Sequence, residues 1–113
     1  MAAGQLNILI EQGSTFSKNL TIYSSGTTPL NLTGKTLRGS VRYRLQDATP
    51  ALTFTFTNDN QSINPGKVLM TATAIQTDAL NQSKGIYDVE LVDGTTVTRL
   101  LEGLVFISLS VTR

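Results

Sequence analysis

Apolar and polar residues alternate with period two along most of this chain. Between residues 52 and 57, for example, Leu, Phe and Phe alternate with three threonines. Such alternation is typical of a β-strand with one face buried and the other in solvent. Turn signals separate the alternating runs, as at Ser25-Gly26 and Asp93-Gly94. The pattern predicts strands at about residues 5–11, 15–24, 35–46, 51–57, 67–73, 84–92 and 96–111, and it allows a short one near 61–63.

One segment departs from this pattern and suggests a helix. Thr73 to Asn81 is rich in alanine and fits a single helical turn or a short 3₁₀ piece. Many short strands separated by turns indicate a β-sandwich or a small barrel, and the sandwich is favoured. We therefore expect one all-β domain over residues 1–113, an antiparallel β-sandwich of seven to eight strands with at most one short helical turn.

The composition narrows the classes of partner. The formal net charge is +1, whereas a nucleic-acid-binding surface needs clustered Lys and Arg. The apolar run from Leu6 to Ile10 is short and has no basic flank, so we expect neither a signal peptide nor a membrane span. We accordingly expect folding in a cytoplasm, with no nucleic-acid partner and no membrane partner.

The residue types needed for most catalysis are scarce. Histidine and cysteine are both absent, which removes the usual nucleophile–base pairs and zinc ligands. Asp88, Glu90 and Glu102 remain as candidate acids, but Asp88 and Glu90 lie two apart in one predicted strand and therefore share a face. Asn58-Asp59-Asn60 is interpreted as a polar turn rather than a Ca²⁺ loop. We expect no enzymatic activity, no cofactor, no metal and no small-molecule substrate.

A row of arginines on one predicted strand has two interpretations. Arg38, Arg42 and Arg44 fall on the same face by alternation. They could dock an acidic partner or a glycan, or they could bridge Asp88 and Glu90 on a neighbouring strand. The structural interpretation is preferred, with contact to a neighbouring subunit as the second option.

The end of the chain carries more apolar surface than one sheet face needs. Residues 85–113 predict a hairpin of two long strands that turns at Asp93-Gly94. In its last strand, Leu100, Leu104 and Phe106 lie on the face opposite to a second apolar row. Either these side chains face a partner, or a bulge at Gly103 shifts the register. The interface interpretation is held slightly above the bulge.

The first predicted strand is a second candidate for contact between subunits. Strand 5–11 would lie at a sheet edge, and an exposed edge suits strand addition between chains. Leu6 and Ile8 are its candidate interface residues, beside Leu100, Leu104, Phe106 and the three arginines.

Several motifs, taken in order, resemble one family. They are Ile10-Glu11-Gln12-Gly13 with Phe16, Leu32-Thr33-Gly34, Gly66-Lys67-Val68, Gly85-Ile86-Tyr87-Asp88-Val89-Glu90-Leu91 and Arg99-Leu100-Leu101-Glu102-Gly103. Together they look like the immunoglobulin-like domain of tailed-phage structural proteins, similar to the N-terminal domain of the phage baseplate upper protein. The resemblance implies an immunoglobulin-like β-sandwich without catalytic residues that attaches or decorates parts of a virion.

The function expected from the resemblance is structural. A virion protein of this kind would bind other virion structural proteins in multiple symmetric copies, at the tail, baseplate or fibre attachment, or next at the neck or as a capsid decoration. It would be made in the host cytoplasm and reside in the virion. The alternative is a carbohydrate-binding or host-adhesion module, which usually stacks sugars on exposed aromatic rings. The absence of Trp and the scattered Tyr23, Tyr43 and Tyr87 count against that alternative.

Overall fold

A computed structural model describes residues 4–25 and 28–111, and most of these residues lie in β-strands. The turn predicted at Ser25-Gly26 and the last two residues of the chain fall outside the fully described part. Within it the elements are, in chain order, β1 (Gly4–Gln5), β2 (Ile8–Glu11), β3 (Phe16–Thr21), β4 (Tyr23–Ser25), β5 (Thr28–Pro29), β6 (Thr36–Arg42), β7 (Leu52–Thr53), β8 (Thr55–Asn58), β9 (Lys67–Ala72), α1 (Ala74–Asp78), β10 (Lys84–Asp93) and β11 (Thr96–Ser108).

The strands form one large sheet, one small sheet and a ribbon. In the large sheet the order is β1-β11-β10-β6-β7, and β2 continues along β11 beyond β1. The small sheet has the order β3-β9-β8, and β4 pairs with β5. All pairs are antiparallel except those of β1 and β2 with β11, which are parallel. The all-β prediction is confirmed, and the pairing is mostly antiparallel, with a parallel exception at this edge.

Both sheets supply side chains to a common apolar core. The large sheet contributes inward-facing residues such as Ile10, Val41 and Val89, and the small sheet contributes Val68 and Met70. All of these are almost fully buried. Burial of a side chain of this size stabilises the fold by roughly 1.5–3 kcal/mol relative to leaving it exposed.

The predicted hairpin and the predicted helical turn are both present. Strands β10 and β11 meet at a two-residue turn that begins with Gly94, whose φ of 61° suits a residue without a Cβ. Helix α1 begins after Thr73, whose hydroxyl accepts from the Gln76 backbone N–H at 3.1 Å. The Gln76 side chain reaches back to the Thr73 N–H at 2.8 Å, which completes a capping box.

Three predicted strands are divided in the structure. The segment 5–11 becomes β1 and β2, 15–24 becomes β3 and β4, and 51–57 becomes β7 and β8. At the last of these breaks, the Phe54 N–H donates to the Gly39 carbonyl at 3.0 Å, and the chain passes from the large sheet to the small one. The predicted strand 35–46 is shorter than expected, because β6 ends at Arg42, and Leu45 beyond it is 82% exposed.

Residues 61–63 form a turn and not a strand, and a buried glutamine explains why. The Gln61 side-chain oxygen accepts from the backbone N–H groups of Leu32 at 3.0 Å and Gly66 at 2.8 Å. Its amide nitrogen donates to the carbonyl oxygens of Asp59 at 2.8 Å and Lys67 at 3.1 Å. One side chain therefore joins three backbone segments, at Leu32, at Asp59 and at Gly66-Lys67.

Candidate interaction surface

The outer face of the large sheet carries most of the residues singled out in the sequence. Strand alternation places Val89 and its inward neighbours on the core side, so residues one step away point outward. Across this outer face, Asp88 lies beside Ser40 on one side and Glu102 on the other, and Ile86 lies beside Leu104. The face is charged near its middle and apolar towards β2.

The apolar part, here called the apolar patch, consists of Leu9, Ile86, Leu104 and Phe106. Leu9 of β2 is the cross-strand partner of Phe106, and Ile86 is the partner of Leu104. Leu9 is 58% exposed and Phe106 is 43% exposed, while Ile86 and Leu104 are half-buried. The structure thus places two of the predicted interface residues, Leu104 and Phe106, side by side on the outer face. Clustered apolar side chains on a sheet face are a feature of interaction surfaces.

The charged part of the outer face is held by ion pairs. Arg38 contacts Glu90 at 2.8 Å, and Arg99 contacts Asp88 at 3.6 Å and Glu102 at 3.9 Å. These side chains are partly in solvent, where an ion pair contributes about 0–1 kcal/mol. These ion pairs therefore fix the positions of side chains on the outer face and contribute little to the stability of the fold.

The row of three arginines is only partly as predicted. The bridge from Arg38 to Glu90 is confirmed. Arg42 instead donates to the Asp47 carbonyl at 3.0 Å and to the Ser40 hydroxyl at 3.1 Å. Arg44 pairs with the Asp47 carboxylate at 3.4 Å in the bend after β6, so it does not continue the row. The partner of Asp88 is Arg99, which the sequence did not single out.

Leu100 owes its position to a bulge rather than to a partner. Val89 pairs with Leu101 whereas Glu90 pairs with Arg99, so Leu100 is the extra residue of β11 at this point. Its side chain is half-buried and packs against the core. A bulge does account for part of the excess apolar surface, as the sequence allowed. It lies at Leu100, however, and not at Gly103, where the alternative interpretation places it.

Gly103 has a different role: because it has no side chain, the backbone of the first strand segment can approach β11 closely. A Cβ at this position would overlap the Leu6 carbonyl oxygen. That carbonyl turns away from the ladder and accepts the Tyr87 hydroxyl at 2.6 Å. The Leu104 N–H, which a regular parallel ladder would direct to Leu6, donates instead to the Asn7 side-chain oxygen at 3.0 Å. This exchange of partners separates β1 from β2.

The two candidate residues in the first strand both belong to the core side. Ile8 is only 5% exposed, and Leu6 is half-buried against the core. They are not available to a partner, which corrects the expectation that they form an interface. Leu9, which follows Ile8, was missed. The alternation of Leu6, Ile8 and Ile10 contained the signal, because it leaves Leu9 as the apolar residue on the opposite face.

Ionisation of the Tyr87 hydroxyl makes the stability of the fold depend on pH. Burial raises the pKa of Tyr87 from its ordinary 10.0 to about 12. The folded state therefore favours the protonated phenol, so its contribution to stability is complete below pH 10 and is lost as the pH rises towards 12. We expect Tyr87→Phe to lower the free energy of unfolding by about 1 kcal/mol at neutral pH. We also expect it to reduce the loss of stability between pH 10 and 12, measured by urea unfolding.

Tyr23→Phe is the matched control, because Tyr23 is largely in solvent. It should leave the free energy of unfolding at neutral pH close to that of the wild type. Equal alkaline destabilisation of the wild type and Tyr87→Phe would contradict the assignment of that effect to Tyr87.

Several depressions lie on the surface of the described residues. One of about 220 Å³ lies over the charged part of the outer face. Another of about 600 Å³ lies over β3, β8 and β9, and a third of about 480 Å³ lies beside Gly13 and α1. The last two fall within the 300–1,000 Å³ typical of ligand pockets. Residues 4–25 and 28–111 hold no cluster of three or more candidate metal ligands, and no helix among them has the length and apolarity to cross a membrane. Asn58 ends β8, and Asp59 and Asn60 lead into the turn at residues 61–63, where the Asp59 carboxylate accepts from Asn60 and Asn64. Of the tyrosines, Tyr23 is the exposed one, and the Tyr43 hydroxyl accepts from the Asn81 N–H at 2.9 Å.

Comparison with known proteins gives no match, either to a protein-family model or to a curated protein.

Proposed function

We propose that this protein is a non-enzymatic structural component of a tailed-phage virion, an immunoglobulin-like β-sandwich that binds other virion proteins in multiple copies. Tail, baseplate or fibre attachment is the preferred position, followed by the neck or a capsid decoration. The observation that carries the proposal is the apolar patch of Leu9, Ile86, Leu104 and Phe106 on the outer face of the large sheet. The motif resemblance supplies the virion context.

The strand order supports the immunoglobulin-like part of the proposal. Variable-type immunoglobulin domains place strands G, F, C and C′ in one sheet and B, E and D in the other. Here β11, β10, β6 and β7 occupy the first set of positions, and β3, β9 and β8 occupy the second, in the same chain order. Helix α1 falls in the E–F connection, and β2 lies beside the strand equivalent to G.

The position of the apolar patch supports a role in assembly. Leu104 and Phe106 lie in the last third of β11, where that strand pairs with β10 on one side and Phe106 also pairs with β2 on the other. Their side chains project from a rigid sheet, so a partner would meet a surface that needs little ordering before it binds. A stable contact requires roughly 1,200–2,000 Å² of total buried area, more than the patch alone provides. The neighbouring charged part of the outer face would supply the polar rim.

The proposal predicts that Phe106→Asp blocks incorporation into particles. The substitution places a charge at the centre of the apolar patch, and burying an unpaired charge against a partner is costly. The fold should survive because Phe106 is substantially exposed. We expect tagged Phe106→Asp to be depleted at least about tenfold from gradient-purified particles relative to tagged wild type, a change worth about 1.4 kcal/mol per factor of ten.

Val97→Asp is the control for this experiment. Val97 also lies in β11 and is 47% exposed, but it is at the other end of the strand. It should be incorporated like the wild type. Loss of β-sheet circular dichroism in Phe106→Asp would mean that this side chain belongs to the core. Equal incorporation of a folded Phe106→Asp would contradict the role of the patch.

A further inference from the structure

Strand β2 presents an open hydrogen-bonding edge. The Leu6 N–H donates to Glu102 at 3.0 Å and the Gln12 N–H donates to Ser108 at 2.9 Å, with the same offset along β11. The parallel register between them is continuous, so residues 8 and 10 also direct their backbone groups to β11. The N–H and C=O groups of Leu9, the C=O of Asn7 and the N–H of Glu11 consequently point away from the sheet, whereas the Glu11 carbonyl accepts the Ser14 N–H at 3.1 Å. Within the described ranges, β2 pairs with β11 alone.

The other sheet edges carry features that discourage pairing. In β3, Lys18 lies on the inward-facing side between Phe16 and Leu20, and an inward-pointing charge is a recognised block to edge-to-edge association. At the end of β8, the Asn58 side chain donates to the Lys35 carbonyl at 3.2 Å, which ties that edge to a neighbouring segment. Strand β7 has only two residues. The β2 edge has none of these features and displays Leu9 beside it.

We propose that a second copy of this chain adds its own β2 antiparallel to this edge, with a two-fold axis at Leu9. The inference rests on the proposed function, because it names one of the contacts that a multicopy virion component would make. In this register Leu9 lies opposite the second copy's Leu9, and Asn7 lies opposite the second copy's Glu11. About four backbone hydrogen bonds form, since the Leu9 pair exchanges two and each Glu11 N–H donates to the Asn7 carbonyl of the other copy.

The side chains along the edge are complementary to themselves in this register. Asn7 uses its oxygen to accept from Leu104, which leaves its amide nitrogen to donate to a carboxylate. Glu11 is exposed and forms no ion pair with a described residue, so its carboxylate can accept. Leu9 meets an apolar partner. A two-fold arrangement satisfies all three positions at once and closes as a dimer, which is why a second copy fits better than an unrelated strand.

The joined sheet also explains how the apolar patch could act in an assembly. Leu9 and Phe106 are adjacent on the outer face, so two copies joined at β2 bring their apolar patches together across the axis. A third protein would then meet a surface twice as wide on a single continuous sheet.

The sequence has no cysteine, which makes a cross-linking test direct. Leu9→Cys introduces a single thiol at the axis, where the two Cα atoms would be about 5.5 Å apart, within disulfide range. Glu11→Cys introduces one two residues away, where the two equivalent Cα atoms would be about 13 Å apart. We expect Leu9→Cys to form a disulfide-linked dimer on mild oxidation at least about tenfold faster than Glu11→Cys. Equal rates, or no linked dimer from folded Leu9→Cys, would overturn the proposal.

Sedimentation of the unmodified chain gives a second test. The wild type should show a concentration-dependent dimer, and Leu9→Lys should shift it to monomer by placing like charges opposite each other at the axis. Val97→Lys is the control and should dimerise like the wild type. A wild type that remains monomeric up to about 1 mM, corresponding to less than about 4 kcal/mol of association, would overturn the proposal. If that monomer still enters particles, the proposed function stands; if a dimer forms but never enters particles, only the function fails.

Discussion

Gly103→Ala should be among the most destabilising single substitutions in this chain. A methyl group at this position would overlap the Leu6 carbonyl oxygen, and backbone cannot rotate aside as a flexible side chain can. The substitution would push the first strand away from β11 and break the bond from the Tyr87 hydroxyl to Leu6. We expect a loss of roughly 3–5 kcal/mol in the free energy of unfolding, measured by urea denaturation, against a typical total of about 5–15 kcal/mol.

Gly4→Ala provides a control on the same pair of strands. Gly4 is the cross-strand partner of Leu101, and a methyl group there would make ordinary contacts of 3.5 Å and 3.6 Å with neighbouring atoms. It should change stability by less than about 0.5 kcal/mol. The Tyr87 phenol offers a second readout, because its pKa should fall from about 12 towards 10.0 in Gly103→Ala if the first strand is displaced. Similar stabilities of the two alanine variants would contradict the close approach of Leu6 to Gly103.

Gln61→Leu should have the next largest effect. Leucine is close in size but cannot accept from the Leu32 and Gly66 N–H groups or donate to the Asp59 and Lys67 carbonyls. Two backbone N–H groups would then be left in a buried site without an acceptor, and each costs about 1–3 kcal/mol. We expect a loss of about 3 kcal/mol in the free energy of unfolding, together with faster amide hydrogen exchange at Leu32 and Gly66.

The control for this prediction is Gln82→Leu. Gln82 is exposed and makes no hydrogen bond with a described residue, so the same chemical change should alter stability by less than about 0.5 kcal/mol. If Gln61→Leu were as stable as Gln82→Leu, the four hydrogen bonds of Gln61 could not be what fixes the turn at residues 61–63.

The long strands, the hairpin turn and the helical turn could be predicted from the sequence because each depends on a local pattern of residues. Alternation is a property of each strand alone, so the positions of β6, β9, β10 and β11 followed from it, and the Asp93-Gly94 signal located the hairpin turn. The helical turn followed from composition and gained its stability from a cap at Thr73 that is itself local.

The features that were missed depend on contacts between distant segments. Glycine is needed at position 103 because Leu6 approaches it closely. The role of Gln61 likewise depends on Leu32 and Gly66 lying within hydrogen-bonding distance. The parallel pairing of β2 with β11 likewise joins opposite ends of the chain. No local pattern encodes these contacts, because their energies come from groups far apart in sequence.

The candidate interaction surface could be predicted in part. Leu104 and Phe106 were identified as apolar residues on the outer face of the last strand, and the structure places them there. Their neighbour Leu9 required knowledge of which strand pairs with β11. Unbroken alternation places Leu100 on the same face, but the structure has a one-residue bulge at Leu100 that shifts the alternation. The composition around Arg99 and Leu101 gives no sign of this bulge.

The central claim is that the outer face of the large sheet holds a neighbouring protein in a virion. A cryo-electron microscopy map of purified particles from a culture that carries this gene tests it most directly. The account predicts multiple symmetric copies of the chain, with the side chains of Leu9, Leu104 and Phe106 covered by a neighbour. Particles that lack the chain, or copies in which the apolar patch faces solvent throughout, would contradict it.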